Sequence, residues 1–145
     1  MFRLLSRVSI AIASTALACQ TSQTSAPTDS NALAAATTAA QSWLALVDQE
    51  KYDESWNAAA TIFKSAVTEA TWQDDMSRAR EPLGKLATRQ LKSAEFETTL
   101  PGAPDGEYVV IQFSSSFENN PAAVETVTPT RESDGTWRVS GYFIK

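Results

Sequence analysis

Gly106-Glu107-Tyr108-Val109-Val110-Ile111-Gln112-Phe113, then Ala123-Val124-Glu125-Thr126-Val127-Thr128, then Asp134-Gly135-Thr136-Trp137-Arg138-Val139-Ser140-Gly141-Tyr142-Phe143-Ile144-Lys145: these three stretches close the chain and decide its fold. Each is dense in β-branched and aromatic residues, the composition of strands. Asn119-Asn120-Pro121 supplies one reversal and Asp134-Gly135 the next, the latter a strong hairpin signal, so the three pair antiparallel. In the first, Val109, Ile111, Phe113 and Phe117 share a face. Tyr108, Val110, Gln112, Ser114 and Ser116 form the other, a mixed surface that suits partial solvation or the wall of a pocket. In the last, Trp137, Val139 and Phe143 oppose Arg138, Ser140, Tyr142 and Ile144, and Gly141 permits a bend.

A fourth strand precedes them. From Leu86 to Leu100 the alternation changes parity: Ala87, Arg89 and Leu91 share one face, whereas Ala94, Phe96, Thr98 and Leu100 fall on the opposite parity. One extra residue near Lys92-Ser93, a β-bulge, reconciles the two halves. Pro101 to Gly106 is a turn-rich connector.

A sheet with one apolar face needs a cover, and the chain before it reads as helices. Asp29 or Ser30 can cap the first, in which Leu33, Ala36, Ala40, Trp43, Leu44 and Val47 recur at helical spacing up to about Glu50. Asp53 caps a second, carrying Trp56, Ala60, Phe63 and Val67 on one stripe. Thr68 starts a third, with Trp72, Met76 and Ala79 buried, and Pro82 and Gly84 end it near Arg80. The expected fold class is therefore α+β, three N-terminal helices packed on a four-stranded antiparallel sheet. The aromatic residues at helical spacing read as core.

The N-terminus carries an address. Met1 to Ala18 places Arg3 and Arg7 before a small, apolar run ending in Ala16-Leu17-Ala18-Cys19, the pattern of a secretory signal, too short to span a bilayer permanently. A cysteine directly after a small residue here resembles the bacterial lipoprotein box, in which that cysteine becomes the lipidated first residue. The box usually has Leu three positions before the cysteine and Ala or Ser two before, where this chain has Ala16 and Leu17. Ala16-Leu17-Ala18 also suits ordinary signal peptidase, which would leave a free periplasmic protein. Residues 19–30 are expected to form the lipidated end and a polar tether, with a reach on the order of 18 Å, and 31–145 a single domain. Gln20 stands where an Asp would signal inner-membrane retention in enteric bacteria, which points to the outer membrane.

Composition excludes several mechanisms. The chain has no histidine, so Ser-His and Cys-His nucleophile systems and histidine-ligated metals are ruled out. Cys19 is the sole cysteine, so no intramolecular disulfide or thiolate cluster can form. Cleavage before Cys19 removes two of the 12 basic residues and none of the 17 acidic ones, taking the net charge from −5 to −7. A phosphate backbone would repel that field, and nucleic acid is not an expected partner. No cofactor and no metal site is expected. Asp74-Asp75 and Glu95-x-Glu97 read as solvated carboxylates.

The segments Ser42 to Asp48, Tyr52 to Trp56, Phe63-Lys64, Trp72, Arg80 to Gly84, Arg89, Leu100 to Tyr108, Val124 to Val127 and Asp134 to Lys145, in that order and spacing, resemble the bacterial domain-of-unknown-function family 4019. The likeness covers about residues 32 to 145. Three helices followed by four antiparallel strands, one of them bulged, is also the order of the nuclear transport factor 2-like, cystatin-like cone. The resemblance implies a curved sheet and an exported bacterial setting, and no reaction.

Candidate site residues follow from strand parity. Arg89 shares a face with Ala87 and Leu91, and Glu125 with Ala123 and Val127, so each is a candidate to point inward from its strand. Tyr108, Gln112 and Tyr142 are candidates to line the same pocket. An inward charge needs a partner, because an isolated buried ion costs several kcal/mol. Arg89 and Glu125 therefore read as a structural ion pair or as ligand-binding groups. Three functions are open at this point. The first is a lipid-anchored, non-catalytic envelope protein holding a small molecule in the cone. The second is an interaction module for another envelope protein, with the pocket filled by Trp137, Phe113 and Tyr142. The third, by analogy of fold alone, is a metal-free isomerase or dehydratase with Glu125 as base and Tyr108 or Tyr142 as proton donor.

Overall fold

The computed structural model describes residues 27–145. The expected export signal, Cys19 and the expected tether as far as residue 26 lie outside the described residues. Helix α1 spans Pro27–Asp48, α2 Tyr52–Ala58, α3 Thr61–Ala66 and α4 Glu69–Arg80. A 3-10 turn, Glu81–Leu83, leads to β1 (Leu86–Glu97), β2 (Tyr108–Phe117), β3 (Asn120–Arg131) and β4 (Trp137–Ile144). The strands pair antiparallel in chain order, with β1 and β4 at the edges. This is the expected α+β architecture, with helices N-terminal to the sheet.

Helix α1 begins at Pro27, so the last four residues of the expected tether are helical. Proline suits a first helical position, where its missing N–H would have had no partner. Ala36, Ala40, Trp43, Leu44 and Val47 form its buried stripe. Its end is a tight cap: Lys51 N–H donates to the Leu46 carbonyl and Glu50 N–H to that of Val47, with Glu50 at φ +60°.

Among the described residues there are four α-helices where the apolar spacing predicts three. Trp56, Ala60, Phe63 and Val67 do not share one helix, because the backbone is extended at Ala59 and Ala60. Ala60 N–H donates 2.8 Å to the Val139 carbonyl, and Thr61 N–H donates 2.6 Å to Glu132 Oε1. Both alanines are fully buried, so only a small side chain fits this approach to β4. Thr68 caps α4 by accepting from Thr71 N–H at 3.2 Å, as expected, and Gly84 at φ +72° follows the 3-10 turn.

Tryptophan N–H groups tie the helices together. Trp43 donates to the Ser55 carbonyl, Trp72 to Ser55 Oγ and Trp56 to the Val67 carbonyl, at 2.8, 2.9 and 2.8 Å. Trp43, Trp72, Phe63 and Tyr142 pack ring against ring, with neighbouring centroids 5.0 to 6.4 Å apart. Below them Val109, Ile111, Phe113, Val127 and Val139 line the inner sheet face. Each such buried side chain contributes about 1.5–3 kcal/mol.

Strand register decides which residues point inward. In β1 the pairing slips at Ala87 and again at Lys92, and the second slip is the bulge the sequence implies. Strand β3 is longer than expected, because Pro129 sits inside it rather than ending it. Opposite it β4 carries an extra residue, Ser140, between Val139 and Gly141, and this bulge accommodates a residue with no N–H to give. The bulge also reverses the expected faces of β4. Tyr142 pairs with Val127 and turns inward with Val139, whereas Phe143 pairs with Thr126 and turns out, 59% exposed.

Candidate functional site

Four charged side chains converge between the helices and the inner sheet face. Asp48 ends α1, Arg80 ends α4, Arg89 projects from β1 opposite Ser115, and Glu125 stands on β3 opposite Phe113. Arg80 occupies the position an apolar residue would take on the stripe Trp72, Met76, Arg80, and it is buried with them. Glu125 is completely buried.

Each arginine bridges both carboxylates. Arg89 Nε donates 2.6 Å to Glu125 Oε2 and its Nη2 3.0 Å to Oε1, while Nη1 and Nη2 donate 2.6 and 2.9 Å to Asp48. Arg80 donates 2.6 Å to Asp48 Oδ1 and 3.2 Å to Glu125 Oε1, and its guanidinium lies 4.7 Å from the Phe117 ring centre. Ser115 and Tyr142 complete the shell, donating 2.5 and 2.7 Å to Glu125. Two positive and two negative groups cancel, and among the described residues no buried side-chain nitrogen or oxygen lacks a hydrogen-bond partner.

The electrostatics follow from this closure. Burial alone would raise the Asp48 carboxyl, but hydrogen bonds from Arg89 and Arg80 outweigh it and hold the group below its ordinary value. Burial, reinforced by the Glu125 charge, pushes the Tyr142 phenol well above its ordinary value, so it stays a neutral donor. Burial works against the Arg89 charge, yet its bonds to Asp48 and Glu125 prevail and raise its pKa. Glu125 accepts five hydrogen bonds, more than its roughly four lone-pair sites offer without sharing. A general base needs a free lone pair facing substrate, and this carboxylate has none.

Of the sequence candidates, Arg89, Glu125 and Tyr142 come together here. Tyr108 and Gln112 do not: both lie on the opposite face of the sheet, Tyr108 buried with its hydroxyl donating 2.7 Å to the Pro104 carbonyl, and Gln112 beside Thr126. Asp48, Arg80 and Ser115 are members that the sequence reading did not single out. Ser115 shares strand parity with Phe113 and Phe117, which was the available signal.

A surface cleft of about 630 Å³ has Asp48, Glu50, Tyr52, Arg80, Glu81 and Glu118 in its lining, and Arg89 and Glu125 are not part of that lining. No group of three or more metal-ligating side chains occurs among the described residues, and none of their helices is long and apolar enough to cross a membrane.

Helices laid on one face of an open antiparallel sheet, and tied to it by an ion cluster, define a small α+β domain. This chain belongs to the family described as Protein of unknown function (DUF4019), whose profile matches residues 39–142. A search of curated proteins and a search of solved structures each found no match.

Proposed function

We propose that this chain is an exported, non-catalytic protein of the bacterial envelope, of nuclear transport factor 2-like cone type, acting as a protein–protein interaction module through its surface. The observation that carries this reading is the closed Asp48–Arg80–Arg89–Glu125 cluster. It occupies the space between helices and sheet where a cone would hold a ligand, and among the described residues none of its buried side-chain nitrogens and oxygens lacks a hydrogen-bond partner. Satisfied charges give stability and shape, whereas a ligand site leaves polar groups poised for its guest. Trp137, Phe113 and Tyr142 pack into or against the same core.

The signal-like Met1 to Ala18 and the cysteine that follows support attachment through lipid on Cys19, at the periplasmic side of the outer membrane. Cys19→Ala should then move the protein from the membrane pellet to the soluble fraction; a variant that still pellets would overturn the lipid anchor. A second reading, a small molecule held beside Asp48, is favoured by the volume of the surface cleft. Native mass spectrometry of protein purified from its own envelope separates the two. A co-purifying protein at fixed stoichiometry is the expected result, and a co-purifying small molecule would overturn it in favour of the cleft.

A further inference from the structure

The cleft of about 630 Å³ between the end of α1 and the turn before β1 holds one polar group that the fold does not use. Tyr52 is only 9% exposed, it lines the cleft, and its hydroxyl has no hydrogen-bond partner among the described residues. A buried tyrosine hydroxyl usually finds one. Since no fully buried side-chain oxygen among the described residues lacks a partner, this hydroxyl reaches the surface of the cleft.

The charges around that hydroxyl narrow the ligand. The charged residues of the lining are Asp48, Glu50, Glu81 and Glu118 against Arg80 and Lys85. Asp48 and Arg80 belong to the neutral ion cluster, which leaves three carboxylates against Lys85, a net charge of −2. The Glu50 and Glu81 side chains make neither a hydrogen bond nor an ion pair among the described residues. Glu118 accepts from the Lys85 backbone N–H at 2.9 Å, and Lys51, beside Glu50, is held by Glu54 at 3.4 Å. Helix α1 ends at the cleft with no basic residue in its last turn, so its C-terminal carbonyls add to the negative potential. Burial raises the Tyr52 phenol above its ordinary value, and Glu50, Glu81 and Asp48 add to the effect against Arg80; the hydroxyl is neutral and sits in a negative field. Such a field draws a cation. No three metal-ligating side chains among the described residues are grouped to hold a metal ion, which favours an organic cation over a metal. Val47, Leu86 and the Tyr52 ring offer an apolar wall to its alkyl stem.

We propose that this cleft is a binding site for an organic cation, an ammonium or guanidinium group on an alkyl stem, with the Tyr52 hydroxyl oxygen accepting its N–H and Glu50 and Glu81 supplying the counter-charge. Two sources carry that group: a free diamine, and a lysine or arginine side chain of a partner protein. The second source rests on the interaction role proposed above. Small probes read the cleft alone, so their failure is distinct from failure of that role, which is read from what co-purifies.

The test is an amide-shift titration of the full chain at low salt with cadaverine, Nα-acetyl-lysinamide and, as an uncharged match, pentane-1,5-diol. Saturable shifts at Val47 to Tyr52 and Glu81 to Leu86 are expected with both amines and not with the diol, weakening as salt is added. Tyr52→Phe should weaken binding about tenfold with an unchanged thermal midpoint, because its hydroxyl makes no bond within the fold. Glu50→Gly should weaken it about threefold while the midpoint rises, a combination that a purely structural role for Glu50 would not produce. Tighter binding of cadaverine than of acetyl-lysinamide would support the site and assign it to a free diamine; equal or weaker binding would support it and assign it to a partner's side chain. Absence of saturable shifts with both amines up to about 10 mM would overturn the proposal, as would equal shifts with the diol, shifts spread over carboxylates across the whole surface, or unchanged affinity in Tyr52→Phe.

Discussion

Glu125→Gln probes the interior most directly, because it keeps the side chain's shape while removing its charge and replacing one acceptor with a donor. In the native cluster Oε2 accepts from Arg89 and Ser115, and Oε1 from Arg80, Arg89 and Tyr142. Whichever way the new amide turns, its NH₂ meets at least two donors. Two guanidinium groups are then left to share Asp48. Removing one partner of a buried ion pair costs about 3–5 kcal/mol, out of a total stability of about 5–15 kcal/mol for a domain of this kind. At roughly 3–5 °C per kcal/mol, the thermal midpoint should fall by roughly 10–20 °C. Circular dichroism at the helix band against temperature reads it directly. Asp48→Asn should cost less, because its side chain is 20% exposed and water can take over part of the lost solvation. Glu125→Gln combined with Arg89→Met restores charge balance between Arg80 and Asp48, and should be less damaging than the two single effects added. A midpoint within about 3 °C of wild type for Glu125→Gln, or strict additivity in the double variant, would refute the claim that the cluster acts as one neutral unit.

Acid should expose the same dependence. Asp48 is held below its ordinary value of 3.8, so the unfolded chain binds the proton first; its contribution is complete above about pH 4 and is lost as pH falls further, through the native pKa. Urea midpoints across pH 2 to 6 should therefore drop in that acid window, and Asp48→Asn should flatten the drop; an unchanged slope would assign the acid response to other carboxylates. Glu50→Gly should raise stability by about 0.5–1 kcal/mol, since it relieves a left-handed backbone at φ +60° and removes a negative charge from the C-terminal end of α1. A lower midpoint in that variant would mean the Glu50 side chain makes a contact the fold requires.

Much of the chain's plan was open to reading because local chemistry and tertiary structure agree there. Thr68 offers a hydroxyl where α4 needs a cap, Asp134-Gly135 offers the positive φ its turn requires, and the parity change around Lys92 can be satisfied only by an extra residue. The break between α2 and α3 was hidden for the opposite reason. Trp56, Ala60, Phe63 and Val67 keep helical spacing through a point where a hydrogen bond from β4 takes the Ala60 N–H, and periodicity carries no record of such a partner. The grouping of Phe143, rather than Tyr142, with Trp137 and Val139 failed because the extra residue Ser140 stands where Pro129 lies on the neighbouring strand, and period-two alternation along β4 carries no record of it. The ion cluster was half visible. Arg89 and Glu125 announced themselves as charges at inward parity, whereas Arg80 was hidden by its place at a helix end, even though Trp72 and Met76 precede it at intervals of four on the buried stripe.

The contact between Ala60 and Val139 also bears on how the domain avoids aggregation. An open sheet presents two free edges on which a second chain can add a strand. Here the α2–α3 junction has already claimed a carbonyl on the outer side of β4, and the bulge at Ser140 breaks the regular repeat an incoming strand would need. On the far side, β1 is interrupted twice within twelve residues, with Lys92 at the second interruption. Neither border offers a long flat template, so the domain is guarded against strand addition and aggregation by the same irregularities that shape its interior.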